Sequence, residues 1–218
     1  DAGITINTDN FTLNGSAYTN GVFGATAQYP NINGTVTDID DITDEDNTEG
    51  EETEDVFDVS CDMILIHTKL ADKYFTENCD TYDEDYTYSD MNVNINDPIY
   101  VTGRLNLDGN ISLNDAVGAV SDVDLTGGNL NGNNTVIYSK FGDIDISNSQ
   151  ATVNGLIYAP FGTVTIDCDN FNMNGLIIAQ NVVIDGYGAN INYSSSWAEL
   201  VGTESEELSW TMDDWQNL

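Results

Sequence analysis

Along the second half of the chain, apolar and polar residues alternate, and the alternation restarts about every twenty residues. Residues 136–155 read VIYSKFGDIDISNSQATVNG, residues 156–175 read LIYAPFGTVTIDCDNFNMNG, and residues 176–194 read LIIAQNVVIDGYGANINYS. One short run in each unit holds Ile144 and Ile146, Val164 and Ile166, or Val182 and Ile184. A second holds Ala151 and Val153, Phe171 and Met173, or Ala189 and Ile191. A period of two puts one face of a strand inward and the other outward. A unit of about twenty residues, made of short strands and turns, is the pattern of a solenoid. The expected fold is therefore all-β, a parallel β-solenoid of about six rungs. Asn-Gly at 154–155 and 174–175 suits a corner, because both residues tolerate left-handed backbone.

The opening strand of each unit departs from the alternation. VIY, LIYA and LIIA are apolar on both faces. Such a strand needs cover on both sides. The candidate cover is a helix over 59–76, where Val59, Met63, Ile66, Leu70 and Tyr74 recur at spacings of three and four. One long helix packed alongside the solenoid is thus part of the expectation. Residues 3–15, GITINTDNFTLNG, match residues 163–175 at seven positions, so the chain also opens with a rung. The organisation expected is a single domain over 1–218. It has a first rung at 1–24, an acidic insertion at 25–58, the flanking helix, main rungs at 91–195 and a cap or docking tail at 196–218.

Charge narrows the partners. The chain carries 38 acidic against 4 basic residues, a net charge of −34. Polyanion binding works by releasing counterions to cationic side chains, so no nucleic acid partner is expected. No apolar run approaches the roughly 18 residues of a membrane span, so no membrane insertion is expected. Cations are the natural partners of such a chain. Twelve carboxylates crowd into 38–58. Asp38, Asp40, Asp41, Asp44, Asp46 and Glu49 are the candidate metal ligands there, with calcium as the candidate cofactor, because hard cations take several carboxylate oxygens. A solvated acidic loop is the other reading of that stretch.

Catalysis lacks bases. Arg104 is the sole arginine and His67 the sole histidine, and His67 lies in the expected helix. No enzyme, catalytic residue or organic cofactor is expected, although paired carboxylates for glycoside cleavage stay open among so many acids. Arg104 faces outward if Leu105 and Leu107 face in. Three cysteines allow at most one bridge. Cys61–Cys79 is the pair close in sequence, and three reduced thiols are the alternative. All three tryptophans, Trp197, Trp210 and Trp215, fall in the tail. They mark an interface, since aromatic residues are enriched in interface cores, or else a cap on the last rung.

The stretch NGLIYAPFGTVTI…FNMNGLIIAQNVVI, followed by NYSSSWAELVGT and MDDWQNL, resembles a β-solenoid domain of large secreted or cell-surface proteins from anaerobic Firmicutes. The resemblance covers about residues 59–218. More widely, the chain resembles the ice-binding-like adhesion fold, which implies a helix along the solenoid and a first rung set beside late ones. It departs from that fold in its acidic insertion and in lacking a flat threonine array, since Thr163 and Thr165 have no counterparts at 143, 145 or 183. The resemblance implies a secreted or cell-surface location. The function expected is a structural or surface-display module that self-associates head to tail into filaments. A ligand-binding adhesin, with a glycan or protein partner at the cell surface, is the alternative. A polysaccharide-active enzyme comes third.

Overall fold

The computed structural model describes residues 3–15, 17–19, 22–26, 29–34, 36–38, 75 and 79–194. Nearly all of them are strand. Before the acidic stretch lie β1 (Gly3–Ile6), β2 (Asn10–Asn14), β3 (Ala17–Thr19), β4 (Val22–Ala25), β5 (Tyr29–Ile32) and β6 (Val36–Asp38). After it come β7 (Asp80–Tyr82), β8 (Tyr86–Ile95), β9 (Ile99–Val101), β10 (Leu105–Leu113) and β11 (Val117–Ala119). The last three are β12 (Val123–Ser139), β13 (Ile144–Gly186) and β14 (Gly188–Tyr193). Every pairing between them is parallel. The result is a parallel β-solenoid of about seven turns.

Three walls follow from the register. On the first, Tyr86, Leu105, Val123 and Ile144 are successive partners. On the second, Val93, Ile111, Leu130 and Ala151 stack likewise. On the third, Thr81, Tyr100, Gly118, Tyr138 and Tyr158 follow one another. Inside run columns of like side chains. Leu107, Leu125, Ile146, Ile166, Ile184 and Ile6 are each at most 2 % exposed. Burying each such side chain is worth about 1.5–3 kcal/mol, so the column is a continuous source of stability.

Stacking order differs from chain order. Gly3–Ile6 pair with Asn181–Ile184 on one side and with Val22–Ala25 on the other. Asn10–Asn14 likewise lie between Gly188–Asn192 and β5. The N-terminal strands thus stack on the late rungs of the same chain. It then adds a level that the sequence reading had placed in the acidic insertion. Strands β4, β5 and β6 make this further level, in which β5 and β6 fall within 25–58.

Two of the doubly apolar strands, at 136–139 and 156–159, are covered, whereas residues 176–179 stay half-buried. Ile137 and Ile157 point into the main core. Tyr138, Leu156 and Tyr158 point out of the third wall and are nevertheless buried. Phe75 stacks on Tyr138 at 5.5 Å and on Tyr100 at 5.1 Å between ring centroids. Phe75 is helical, and its carbonyl accepts the Cys79 amide at 3.2 Å. The rest of the expected helix, 59–74 and Thr76, lies outside the described residues, and so does Cys61 of the candidate bridge.

One reading of the corners changes. Gly155 and Gly175 do not adopt left-handed backbone; the glycines that do are Gly15, Gly109, Gly127 and Gly186. Their role is close approach instead. A Cβ on Gly155 would overlap the Thr135 carbonyl oxygen, and one on Gly175 would overlap that of Gly155. Rungs stacked at about 4.8 Å leave no room there for a side chain.

Candidate functional site

The outer face of the first wall carries a cluster of charged residues. Its middle column runs Thr87, Asn106, Asp124, Asp145 in register. Asp167 lies close enough to act on Asp145 by charge, and on a later rung Asp185, two residues along the strand from this column, accepts from Asn7 Nδ2 at 2.8 Å. Rung spacing sets neighbouring carboxylates about 5 Å apart, so like charges repel along the wall. Arg104 answers part of this. As expected, Leu105 and Leu107 are fully buried and Arg104 faces out. Its guanidinium forms a two-pronged pair with Asp124, with Nη2 donating to Oδ1 at 2.7 Å. Hydrogen bonding to Asp124, then its charge, raises the arginine pKa further. Asp145 has no such partner. Partial burial raises its pKa, the charges of Asp124 and Asp167 raise it further, and Arg104 opposes them.

Carboxylates at the adjoining corner are structural ties. Asp85 Oδ1 accepts the Arg104 amide at 2.8 Å, Asp122 Oδ1 the Asp143 amide at 3.0 Å, and Asp143 Oδ1 the Thr163 amide at 2.7 Å. Each side chain thereby holds the backbone of the next rung. Among the described residues, no three His, Cys, Asp or Glu side chains converge as a metal site requires. What the acidic face can do chemically is concentrate cations diffusely. Near the N-terminal rungs the face becomes neutral and shallow. An open depression of about 300 Å³ lies there, lined by Gly3, Thr5, Val22, Thr163, Asn181 and Val183, among others. Cys168, the one buried thiol among the described cysteines, is inert for this purpose, because burial pushes its pKa up to about 11.

A second feature is a column of asparagines along one corner, whose amides hydrogen-bond between rungs near the two ends of the solenoid. Asn114 Nδ2 donates to Asn96 Oδ1 at 3.0 Å, Asn14 Nδ2 to Asn192 Oδ1 at 2.6 Å, and Asn33 Nδ2 to Asn14 Oδ1 at 2.8 Å. Asn133 and Asn154 are register partners in the same column, as are Asn174 and Asn192. Every donated bond points toward the β7–β8 end. Sequence reasoning saw the recurring Asn-Gly only as a turn. The available signal was the recurrence of Asn at the same place in each unit.

The two ends are the third feature. Among the described residues, β4 pairs only with β1, β5 only with β2 and β6 only with β3. At the other end β8 pairs only with β10 and β7 only with β9. Exposed apolar side chains gather on these rungs: Val22, Tyr29 and Val36 at one end, Tyr82, Tyr88 and Met91 at the other. Elsewhere, Phe141 and Phe161 form an exposed pair 6.0 Å apart at a corner, with Lys140 over the Phe141 ring.

Most of the residues singled out from sequence fall elsewhere. Asp40, Asp41, Asp44, Asp46 and Glu49 lie outside the described residues, as do Trp197, Trp210 and Trp215. Asp38 ends β6, where its backbone partners Thr19. No described helix is long and apolar enough to cross a membrane. Fold and surfaces together define a parallel β-solenoid with acidic residues on its first wall and, among the described residues, strand edges without a further partner at both ends. No protein-family model, no curated protein and no solved structure matches the chain.

Proposed function

We propose that this chain is a structural module that stacks end to end, secreted or displayed at a cell surface, with no catalytic role. The observation that supports this best is the pair of solenoid ends. Among the described residues, each presents strand edges without a further partner together with exposed apolar side chains, and such edges template pairing with another strand. A contact between unlike ends is heterologous and propagates unless a rotation closes it. The net charge of −34 opposes association, so salt and divalent cations, calcium among them, promote it by screening. Sedimentation velocity across concentration, salt and calcium tests the reading. Growth of the sedimenting species with concentration at high salt is expected. A monomer under every condition overturns it.

A second reading rests on Phe141 and Phe161. Two exposed rings side by side offer an apolar platform that a sugar face or a partner side chain could cover, which is what the adhesin reading needs. Replacing both by Ala would then abolish glycan-array binding without changing self-association.

A further inference from the structure

The geometry of the two ends goes further than the end-to-end reading, on which it rests, and points to a specific docking register with a built-in obstruction. We propose that β8 of one copy docks on β4 and β5 of the next, and that β6 must leave the third wall to let the incoming β7 take its place.

The register comes from matching columns. Within the chain, Phe23 lies on Ile4, Ile32 on Leu13 and Asn33 on Asn14. At the opposite end, Tyr86 lies on Leu105, Ile95 on Leu113 and Asn96 on Asn114. Setting the second end on the first aligns Phe23 with Tyr86, Ile32 with Ile95 and Asn33 with Asn96. One constant offset in residue number carries all three pairs, so no bulge is needed at the corner between the first two walls. The amide ladder also continues. Asn33 spends its Nδ2 on Asn14 and keeps an exposed Oδ1. Asn96 spends its Oδ1 on Asn114 and keeps an exposed Nδ2. Head-to-tail docking brings a free donor to a free acceptor, whereas docking of two like ends brings like atoms together. A second copy is therefore the occupant these ends fit.

The obstruction lies on the third wall. Strands β4, β5 and β6 belong to one rung and end flush. At the other end, β8 and β9 belong to one rung, but β7 pairs with β9 from below. It projects one strand beyond β8. When β8 sits on β4 and β5, β7 falls at the level that β6 occupies. Both cannot stand there. The weaker strand is β6: it is three residues long and, among the described residues, pairs only with β3, in a two-stranded sheet apart from the main one. Isolated two-stranded pairings are marginal. Its seat on the third wall keeps a single copy from growing until it is displaced.

The test weakens β6 without touching the docking columns. Thr37→Pro removes a backbone donor and disfavours the strand. Sedimentation velocity should show Thr37→Pro assembling at about tenfold lower concentration than the unmodified chain, with the circular dichroism spectrum retained. Orientation is read by mixing Asn33→Cys and Asn96→Cys chains with a short thiol cross-linker and mapping the linked peptides by mass spectrometry. Links between 33 and 96 are expected. If the unmodified chain assembles and Thr37→Pro assembles no better, the obstruction is wrong while the end-to-end reading stands. Links only between like positions overturn the register. If neither chain assembles under any salt condition, the end-to-end reading falls and this inference with it.

Discussion

The first and third walls are cut from the same winding strands, yet they meet opposite fates. On the first, the outward column is Thr87, Asn106, Asp124 and Asp145, polar or charged and at least partly exposed. On the third, the outward residues Tyr138, Leu156 and Tyr158 are buried under a second apolar layer with Phe75. The backbone pairing is identical in kind. What differs is the alternate residue, since period two assigns every second side chain to the outside. The parallel sheet tolerates either choice, provided an apolar exterior finds cover. The outer face of the first wall is left to solvent, and that of the third is committed to the apolar layer.

The sharpest way to break this contrast is at Tyr138. It is fully buried and stacks on Phe75, Tyr100 and Tyr158. Tyr138→Ala should cost about 3–5 kcal/mol, as for a buried aromatic. Asp124→Ala, at the first wall, should stay within about 1 kcal/mol. Urea denaturation of both variants checks the pair; equal losses would erase the distinction between the walls.

Glycines sharpen the same point along the stacking axis. A Cβ on Gly175 would overlap the Gly155 carbonyl, whereas one on Gly24, on the outermost rung, meets nothing within 4 Å. Gly175→Ala should destabilise by about 2–3 kcal/mol and Gly24→Ala by less than about 0.5 kcal/mol. Thermal melts of the two variants decide it.

Smaller effects belong to the charges of the first wall. The folded pKa of Asp145 lies above its ordinary value, so the fold disfavours its charged form. That cost is present at neutral pH and is relieved as pH falls through the raised pKa toward the unfolded value near 4. Asp145→Asn should therefore be more stable than the parent at neutral pH, with an advantage that shrinks on acidification. A pH series of melting temperatures reads it, and an advantage that grew toward acid would refute the assignment. Arg104→Gln should cost on the order of 1 kcal/mol, because the arginine side of its pair with Asp124 is half exposed. It should also widen the Asp145→Asn advantage by removing the one opposing charge.

Much of the architecture was legible because the solenoid repeats its own pattern. Ile144 and Ile146 announce the inward column, and the doubly apolar VIY and LIYA strands announce a covered wall. The match between 3–15 and 163–175 revealed an N-terminal rung. The second one escaped, because Tyr29-Pro30-Asn31-Ile32 has no neighbour in sequence that shares its pattern, and its partner β2 also belongs to the irregular start. The corner glycines were found for the wrong reason: sequence shows a glycine but not whether conformation or proximity demands it. The surfaces were less legible still. Attention went to the densest acids at 38–58, while the ordered carboxylates of the first wall are spread one per rung and reach a common face only through stacking. The amide ladder is invisible for the same cause, since Asn14 and Asn192 are 178 residues apart.

The central claim, that the ends join copies into a continuous solenoid, is tested most directly by electron cryo-microscopy of concentrated protein at high salt. The first wall holds eight strand levels from Tyr86 to Phe23, so the account predicts filaments with an axial repeat of roughly 38 Å and a layer line near 4.8 Å. Separate particles of a single rung stack, with no filaments under any of these conditions, would contradict it.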